Sequence, residues 1–161
     1  MKTPTALRGG LKKDGLKKIG IVTARFNSEV TSKLEQGAIQ ALQEMGFSSA
    51  EFVLTSVPGA FEIPLAAKAM LEQNFDAVIA LGAVIRGETT HYDYVCSSVE
   101  RGCTELQLKY TRPVAFGVLT TENDEQALAR AGGAHGNKGY EAAQVAVEMA
   151  QLLQLIRESR S

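Results

Sequence analysis

The chain has few of the residues and motifs on which several large enzyme classes depend. It holds two cysteines and two histidines in 161 residues, and their spacing does not match that of zinc ligands. The nucleotide- and phosphate-binding patterns GxGxxG and GxxxxGK[ST] do not occur, and neither does the GxSxG of α/β-hydrolases. We therefore expect no zinc site, P-loop, dinucleotide fingerprint or nucleophile elbow.

An excess of charge and a long apolar run are also missing. Seventeen basic and 18 acidic residues give a formal net charge of -1, which favours neither nucleic acid nor an anionic membrane as a partner. No apolar run approaches the roughly 18 residues of a membrane span, and no secretory signal is recognisable. Cys96 and Cys103 would lie about 10.5 Å apart along one predicted helix, too far for a disulfide. We expect reduced thiols and a soluble, cytoplasmic protein.

The length of the chain predicts a single domain. Residues 1–17 are basic, contain glycine and proline and lack a hydrophobic period, which indicates an arm outside the core. The domain would span residues 18–157, followed by a C-terminal tail at 158–161. The arm is compatible with a nucleic-acid tail or with a solvated or partner-packed terminus, and its lack of interleaved aromatics favours the second.

Strand and helix patterns alternate four times after the arm. Short apolar, β-branched runs predict strands at Lys18–Phe26, Ala50–Val57, Asp76–Ile85 and Pro113–Thr120. Apolar residues at steps of three and four predict helices near 28–46, 63–73, 92–110, 124–131 and 140–157, with Asn27 and Ser28 as candidate caps of the first. This alternation predicts a three-layer α/β/α sandwich around a four-stranded parallel sheet.

Ligands bind parallel sheets beyond the carboxyl ends of the strands, which directs attention to ARFN, VPGAFE, IRGETTH and TTEN. His91, in the third segment, is a candidate proton shuttle near pH 7, with a surface or helix-capping histidine as the alternative. The turn Gly87–Thr90 before it offers backbone N–H groups for an anion, or is an ordinary threonine-capped helix start. Arg86 and Arg130 are candidate phosphate ligands.

Apolar residues of the same segments suggest a planar ligand. Phe26 is suited to stack on a heterocycle, and Ala60 and Phe61 to offer amides and an apolar wall, although core packing would explain either aromatic ring. Glu62 is a hydrogen-bond acceptor or a helix N-terminal acid. The residues alone predict an α/β protein that binds a planar, partly anionic small molecule.

The segments ARFN, VPGAFEIP, ALGAVIRGETTHYDYV, FGVLTTEN, RAGGAHGNKG and AAQVAVEMAQLL occur in an order and spacing that resemble the 6,7-dimethyl-8-ribityllumazine synthase family. The resemblance covers about residues 18–153. It implies a flavodoxin-like sheet of order 2-1-3-4. It also implies condensation of 5-amino-6-(D-ribitylamino)uracil with 3,4-dihydroxy-2-butanone 4-phosphate, the penultimate step of riboflavin biosynthesis, with neither metal nor organic cofactor.

The resemblance also implies residue roles. Phe26 would stack on the pyrimidine, Ala60, Phe61 and Glu62 would hold the ribityl chain and ring edge, and His91 would shuttle protons. Backbone groups of Ala83, Val84 and Ile85 would bind the uracil. The phosphate would bind Glu88, Thr89 and Arg130, Phe116 would come from the adjacent subunit, and Lys138 would also reach a substrate.

Three further expectations depend on the resemblance. Many relatives have a lysine where this chain has Ala134, so that any role of that lysine is lost or moved to His135. Family members form pentamers, in many bacteria twelve of them in a shell of sixty subunits, with riboflavin synthase as a candidate cargo and with an arm able to add a strand to a neighbour's sheet. A non-catalytic flavin-binding or cargo-storing shell protein is the alternative function, and a flavodoxin-like electron carrier is disfavoured.

Overall fold

The computed structural model describes residues 3–159, so residues 1–2 of the predicted arm and 160–161 of the predicted tail lie outside the described residues. The main sheet contains four strands: β1 Ile19–Ala24, β2 Phe52–Val57, β3 Ala77–Ile85 and β4 Val114–Thr121. The described residues form five α-helices: α1 Ser28–Glu44, α2 Ile63–Glu72, α3 His91–Tyr110, α4 Asp124–Ala129 and α5 Lys138–Glu158. A 3-10 turn, Ala60–Glu62, precedes α2.

All neighbouring strands of the main sheet are parallel, in the order β2-β1-β3-β4. The predicted sheet and its order are therefore confirmed. The chain runs outward from β1 to β2 and then returns to the other side of β1 to form β3. The order thus reverses between β1 and β3, where a crevice opens at the carboxyl ends of the strands.

Helices cover both faces of the sheet. The first core cluster joins α1 and α5 to Ile21 and Ile79, and the second joins α2 and α3 to Val22 and Val78. Every residue of β1 is buried, as expected for a strand covered on both sides. Within residues 3–159 no helix is long and apolar enough to cross a bilayer.

The helices α1 and α5 approach closely because glycines lie at their contact. A Cβ atom on Gly139 would lie 2.0 Å from the carbonyl oxygen of Leu34. One on Gly37 would lie 2.4 Å from Oδ1 of Asn137. Neither site has room for a side chain, so these glycines set the distance between the two helices.

The segment before α5 forms a small hairpin. Its two short strands, β5 Ala131–Gly133 and β6 Gly136–Asn137, pair in antiparallel fashion. The last helix begins at Lys138 rather than at residue 140, because Asn137 Oδ1 accepts hydrogen bonds from the N–H groups of Gly139 and Tyr140 at 2.8 and 3.0 Å. Asn137 Nδ2 also donates to the carbonyl oxygen of Lys33 at 3.0 Å.

The predicted start of the first helix next to Asn27 is confirmed, but the Asn27 side chain does not make the cap. Asn27 occupies the N-cap position, but its φ is 65° and its side chain accepts no hydrogen bond from α1. Its Nδ2 instead donates to the carbonyl oxygen of Ala83 at 2.8 Å. Ser28 lies within the first turn of the helix.

The arm lies against its own chain over residues 9–17. Gly9 packs on the backbone of α5, Gln151 Nε2 donates to the carbonyl oxygen of Lys12 at 2.6 Å, and Lys13 forms a salt bridge with Glu51. Leu16 is buried and belongs to the core cluster of α1 and α5. Residues 3–8 are exposed.

Both cysteines are free thiols on α3. Cys103 is buried, and burial raises the pKa of its thiol to about 12. Cys96 is half-buried, and burial again raises the pKa of its thiol. Neither cysteine has the depressed thiol pKa of a reactive nucleophile.

Candidate active site

A cavity of about 670 Å³ lies at the carboxyl ends of β1 and β3, between the 3-10 turn and the start of α3. It therefore occupies the crevice where the strand order reverses. Three of the four segments identified in the sequence contribute to its lining, namely ARFN, VPGAFE and IRGETTH. The lining residues are Phe26, Asn27, Gly59, Ala60, Phe61, Glu62, Ala83, Val84, Ile85, Gly87, Thr89, His91, Tyr92 and Val95.

Two aromatic rings stand uncovered at this cavity. Phe26 is 72% exposed and Phe61 is 61% exposed, although large apolar residues are usually buried. The Phe26 N–H donates to the carbonyl oxygen of Pro58 at 3.1 Å, so the loops after β1 and β2 are tied together beneath the rings. Rings held by the backbone but left uncovered are suited to cover a planar ligand or to meet a neighbouring subunit.

Glu62 has a local hydrogen bond. Its Oε1 accepts from the Gly59 N–H at 3.0 Å and closes the 3-10 turn. The bond orients the carboxylate at the wall of the cavity, so the local role and a role as an acceptor for a ligand are compatible.

Asn27 is a site residue that the sequence reasoning missed, since it treated this residue only as a helix cap. Its side chain connects the end of β1 to the end of β3 through the carbonyl oxygen of Ala83. That carbonyl belongs to the strand end whose backbone was expected to bind a uracil. One of the Ala83 backbone groups is thus already bonded within the chain.

The turn Gly87–Thr90 has the features of an anion seat. Within the described part of the chain, no acceptor is found for the N–H groups of these four residues. They lie directly before α3, which runs for 20 residues, and the N-terminus of such a helix attracts negative charge. Gly87 and Thr89 line the cavity, whereas Glu88 between them is exposed and lies outside the lining.

His91 is the first residue of α3 and lies at the cavity beside this turn. Its backbone N–H donates to Thr89 Oγ1 at 3.3 Å, a bond that links the histidine to the candidate anion seat. Its exposed imidazole ring makes no hydrogen bond with the described residues. Both ring nitrogens are therefore available to a ligand.

Arg86, a candidate phosphate ligand in the sequence, is engaged by protein groups instead. Its Nε lies 2.9 Å from Glu122 Oε2 and its Nη2 3.6 Å from Asp93 Oδ1. Its guanidinium carbon lies 4.4 Å from the centroid of the Tyr92 ring. The hydrogen bond with Glu122 raises the pKa of Arg86 further, so this side chain is always a cation.

Arg130 and Lys138 line a different cavity of about 480 Å³, beside the end of β4, together with His135 and Glu141. Arg130 Nη1 donates to the carbonyl oxygen of Gln126 at 2.9 Å. Phe116 is half-buried on β4 and lines neither cavity. One chain therefore does not bring Arg130, Lys138 or Phe116 into the cavity of His91.

Metal ligation has no structural support in the described range. Within residues 3–159, no group of three or more histidine, cysteine, aspartate or glutamate side chains is arranged to hold a metal ion. The groups that line the cavity are backbone amides, His91, hydroxyl groups and aromatic rings.

Comparison with known proteins identifies the family. The profile of the 6,7-dimethyl-8-ribityllumazine synthase family matches residues 16–154. The chain belongs to this family. A curated 6,7-dimethyl-8-ribityllumazine synthase of Bdellovibrio bacteriovorus is 62% identical over 139 residues, which cover 86% of this chain and 76% of that relative. The family match contains every residue that lines the two cavities.

Proposed function

We propose that this enzyme condenses 5-amino-6-(D-ribitylamino)uracil with 3,4-dihydroxy-2-butanone 4-phosphate to 6,7-dimethyl-8-ribityllumazine, releasing phosphate and water. The observation that carries the proposal is the single cavity that joins an uncovered phenylalanine, free backbone amides at a helix N-terminus and an unpartnered imidazole. Membership of the family that makes this product supports the same reaction.

The reaction suits the residues at the cavity. The amine of the pyrimidine adds to the ketone and forms an imine with loss of water. Phosphate is then eliminated, and the second amine closes the ring with loss of another water. These steps require proton transfers more than a strong nucleophile, and His91 is the group available to take and return the protons. No metal or organic cofactor enters this scheme.

The two substrates would bind at opposite ends of the cavity. The pyrimidine would stack on Phe26, with its edge toward Ala83–Ile85 and its ribityl chain toward Ala60–Glu62. The phosphate would bind the N–H groups of Gly87–Thr90, where only the backbone and not the carboxylate of Glu88 would contribute. His91 would then lie between the amine, the ketone and the leaving group.

A neighbouring subunit would complete the site. Arg130 and Lys138 are cations suited to a phosphate, yet they line the second cavity in this chain. In a ring of subunits, a head-to-tail interface brings two different surfaces of the same chain together. We infer that the second cavity of one subunit faces the His91 cavity of the next, with Phe116 of that neighbour covering the ligand.

Mixing the protein with both substrates tests the function directly. The lumazine product absorbs in the near ultraviolet and fluoresces green, so its formation is followed continuously against the uncatalysed background. A rate equal to the background would overturn the proposal. A yellow protein that retains flavin but makes no lumazine would favour a non-catalytic flavin-binding relative instead.

Hybrid oligomers test the shared site. If His91 and Arg130 of one site come from different subunits, coexpression of His91→Ala with Arg130→Ala chains leaves about a quarter of the interfaces with both residues intact. The hybrid would then be far more active than either parent. Equal activity of hybrid and parents would mean that one chain supplies both residues, or that neither residue matters. The parent rates separate these two cases.

The proposed assembly is a pentamer and, from twelve pentamers, a cytoplasmic shell of sixty subunits with riboflavin synthase as a candidate cargo. In the described structure β2 is an edge strand with Leu54 46% exposed, and residues 3–8 are exposed as well. Such an arm can add a strand to a neighbouring sheet. A light-scattering mass near that of a pentamer would contradict the shell, and copurification of riboflavin synthase would support the cargo.

A further inference from the structure

Arg86 contacts the chain on both sides of the turn that precedes His91. Its backbone N–H donates to the carbonyl oxygen of Thr121 at 2.8 Å and fixes the end of β3 against β4. Its guanidinium then reaches across the turn to the first residues of α3, Tyr92 and Asp93, and also binds Glu122. Arg86 therefore links the two ends of the Gly87–Thr90 turn.

We propose that Arg86 is a positioning residue of the active site, which holds the Gly87–Thr90 turn and His91 in their reactive arrangement by binding Tyr92, Asp93 and Glu122. The proposal rests on the function proposed above. Arg86 would act through the turn and the histidine and would not touch either substrate.

Few hydrogen bonds of its own hold the turn, one of them from the Asp93 N–H to the carbonyl oxygen of Thr90 at 3.0 Å. It is exposed, and its N–H groups find no acceptor among the described residues. The bond between the His91 N–H and Thr89 Oγ1 is long at 3.3 Å. Backbone amides that bind a phosphate best are already oriented before it arrives, and in an exposed turn this orientation needs support from outside the turn.

Tyr92 connects the guanidinium to the cavity. Tyr92 lines the cavity, and the Arg86 guanidinium carbon lies 4.4 Å from the centroid of its ring. Since Tyr92 follows His91 directly in the first turn of α3, a shift of this ring would move the histidine with it. The stacked guanidinium therefore restrains the residue next to the proton shuttle.

The contacts of residue 86 with Tyr92, Asp93 and Glu122 require an arginine. A planar guanidinium stacks on an aromatic ring while its edge binds carboxylates, whereas a lysine ammonium is a point charge that cannot do both in the same way. An exposed ion pair on its own contributes little to stability. The effect expected from Arg86 is thus on the geometry of the turn rather than on the stability of the fold.

Separate Michaelis constants for the two substrates test the proposal. We expect Arg86→Ala to lower kcat and raise the KM for the phosphorylated butanone, each by about tenfold, because small misplacements of reacting groups cost one to two orders of magnitude. The KM for the pyrimidine should change less than twofold. Arg86→Lys should behave like Arg86→Ala, and Arg157→Ala, at the far end of α5, should behave like the wild type.

Chemical rescue and Glu122→Gln distinguish a positioning residue from a phosphate ligand. Methylguanidinium should restore part of the kcat of Arg86→Ala and none of that of His91→Ala. Glu122→Gln should weaken binding of the phosphorylated butanone and add little to Arg86→Ala in the double variant. If Arg86 bound phosphate directly, removal of Glu122 would leave that binding unchanged or strengthen it.

Three results would overturn the inference: wild-type kinetics for Arg86→Ala, equal increases in both KM values, or stronger binding of the phosphorylated substrate in Glu122→Gln. Should Arg86→Ala fail to fold, Arg86→Gln and Glu122→Gln carry the same comparison. A wild-type enzyme that makes no lumazine would remove the proposed function and this inference with it. An active wild type with an unaffected Arg86→Ala would remove only the inference.

Discussion

Asn27 Nδ2 donates a 2.8 Å hydrogen bond to the carbonyl oxygen of Ala83, and this bond joins the two strands between which the sheet order reverses. Asn27 holds the left-handed conformation, with φ at 65°, which asparagine tolerates better than most residues. Beyond Thr23 and Leu81, the last paired residues of β1 and β3, the Asn27 side chain therefore links the Phe26 loop to the end of β3 at the pyrimidine end of the cavity.

Substitutions of Asn27 should separate its backbone role from its amide role. Asn27→Ala loses the hydrogen bond and strains the backbone, a cost of about 2 kcal/mol in the free energy of unfolding. Asn27→Gly keeps the backbone and loses only the bond, at about 1 kcal/mol. Both variants should raise the KM for the pyrimidine more than that for the phosphorylated butanone, as measured by steady-state kinetics with urea unfolding alongside.

Asn27→Asp provides the matched comparison, since it keeps the size of the side chain and removes the donor. It should raise the KM for the pyrimidine at least as much as Asn27→Gly does. Wild-type pyrimidine binding in Asn27→Asp would mean that the bond to Ala83 does not shape the site.

The sequence predicted the sheet because its signals were local. The apolar runs of β1 and β3 and the helical period of α1 each lie within one segment, and the strands with their order are found as expected. The bond from Asn27 to Ala83 joins residues 56 positions apart. No local pattern reports such a contact, and the N-cap preference of asparagine suggested another role for the same amide.

The sequence did not predict that Arg130 and Lys138 line a second cavity, and the reason is different. In the proposed assembly their proximity to Gly87–Thr90 would depend on contacts between chains, and the pattern of one chain contains no distance between subunits. The hairpin of β5 and β6 was missed because each of its strands is too short for a hydrophobic period to appear. The cap by Asn137 was also missed, because the last helix was expected to begin near residue 140 and it begins at Lys138, directly after the asparagine.

Asn137 should be as important for stability as a core residue. Its side chain caps α5 and binds the carbonyl oxygen of Lys33 on α1. We expect Asn137→Ala to cost about 2 kcal/mol, from the lost cap and the lost cross-link. Asn123→Ala, which removes the cap bond of the short helix α4 alone, should cost about half as much in the same thermal unfolding assay.

Gly139→Ala should be more damaging than either cap substitution, because its new methyl group would meet the carbonyl of Leu34 at 2.0 Å. The two helices would have to separate, and Lys138 would move with them. A stability loss above about 3 kcal/mol is expected. Gly136→Ala makes no close contact but strains a φ of 78°, so a smaller loss there would attribute the Gly139 effect to packing.

Activity should depend on Arg130 and His91 much more than on His135. The guanidinium of Arg130 makes one hydrogen bond, to Gln126, and keeps most of its donors available, whereas His135 donates its backbone N–H to the carbonyl oxygen of Ala129. His135→Ala should thus retain most activity. His91→Ala should lose no more than about 10²-fold in kcat, since holding two substrates together supplies part of the acceleration. Steady-state rates in the opposite order would contradict these roles.

Residues 9–17 of the arm should detach from the domain in acid. The hydrogen bond from Lys13 lowers the pKa of Glu51 from 4.5 to about 2, so the folded state favours the carboxylate. A lowered pKa of this kind stabilises the closed arm fully above pH 4.5, and that contribution is lost as the pH falls toward 2. Amide hydrogen exchange of residues 9–17, corrected for its intrinsic pH dependence, should accelerate across this range relative to β3.

Glu51→Gln should show fast exchange at every pH, and Glu72→Gln, which removes the Lys68 pair on α2, should leave the arm unchanged. Identical profiles for Glu51→Gln and the wild type would mean that the contacts of Gln151 and Gln154 hold the arm without the ion pair.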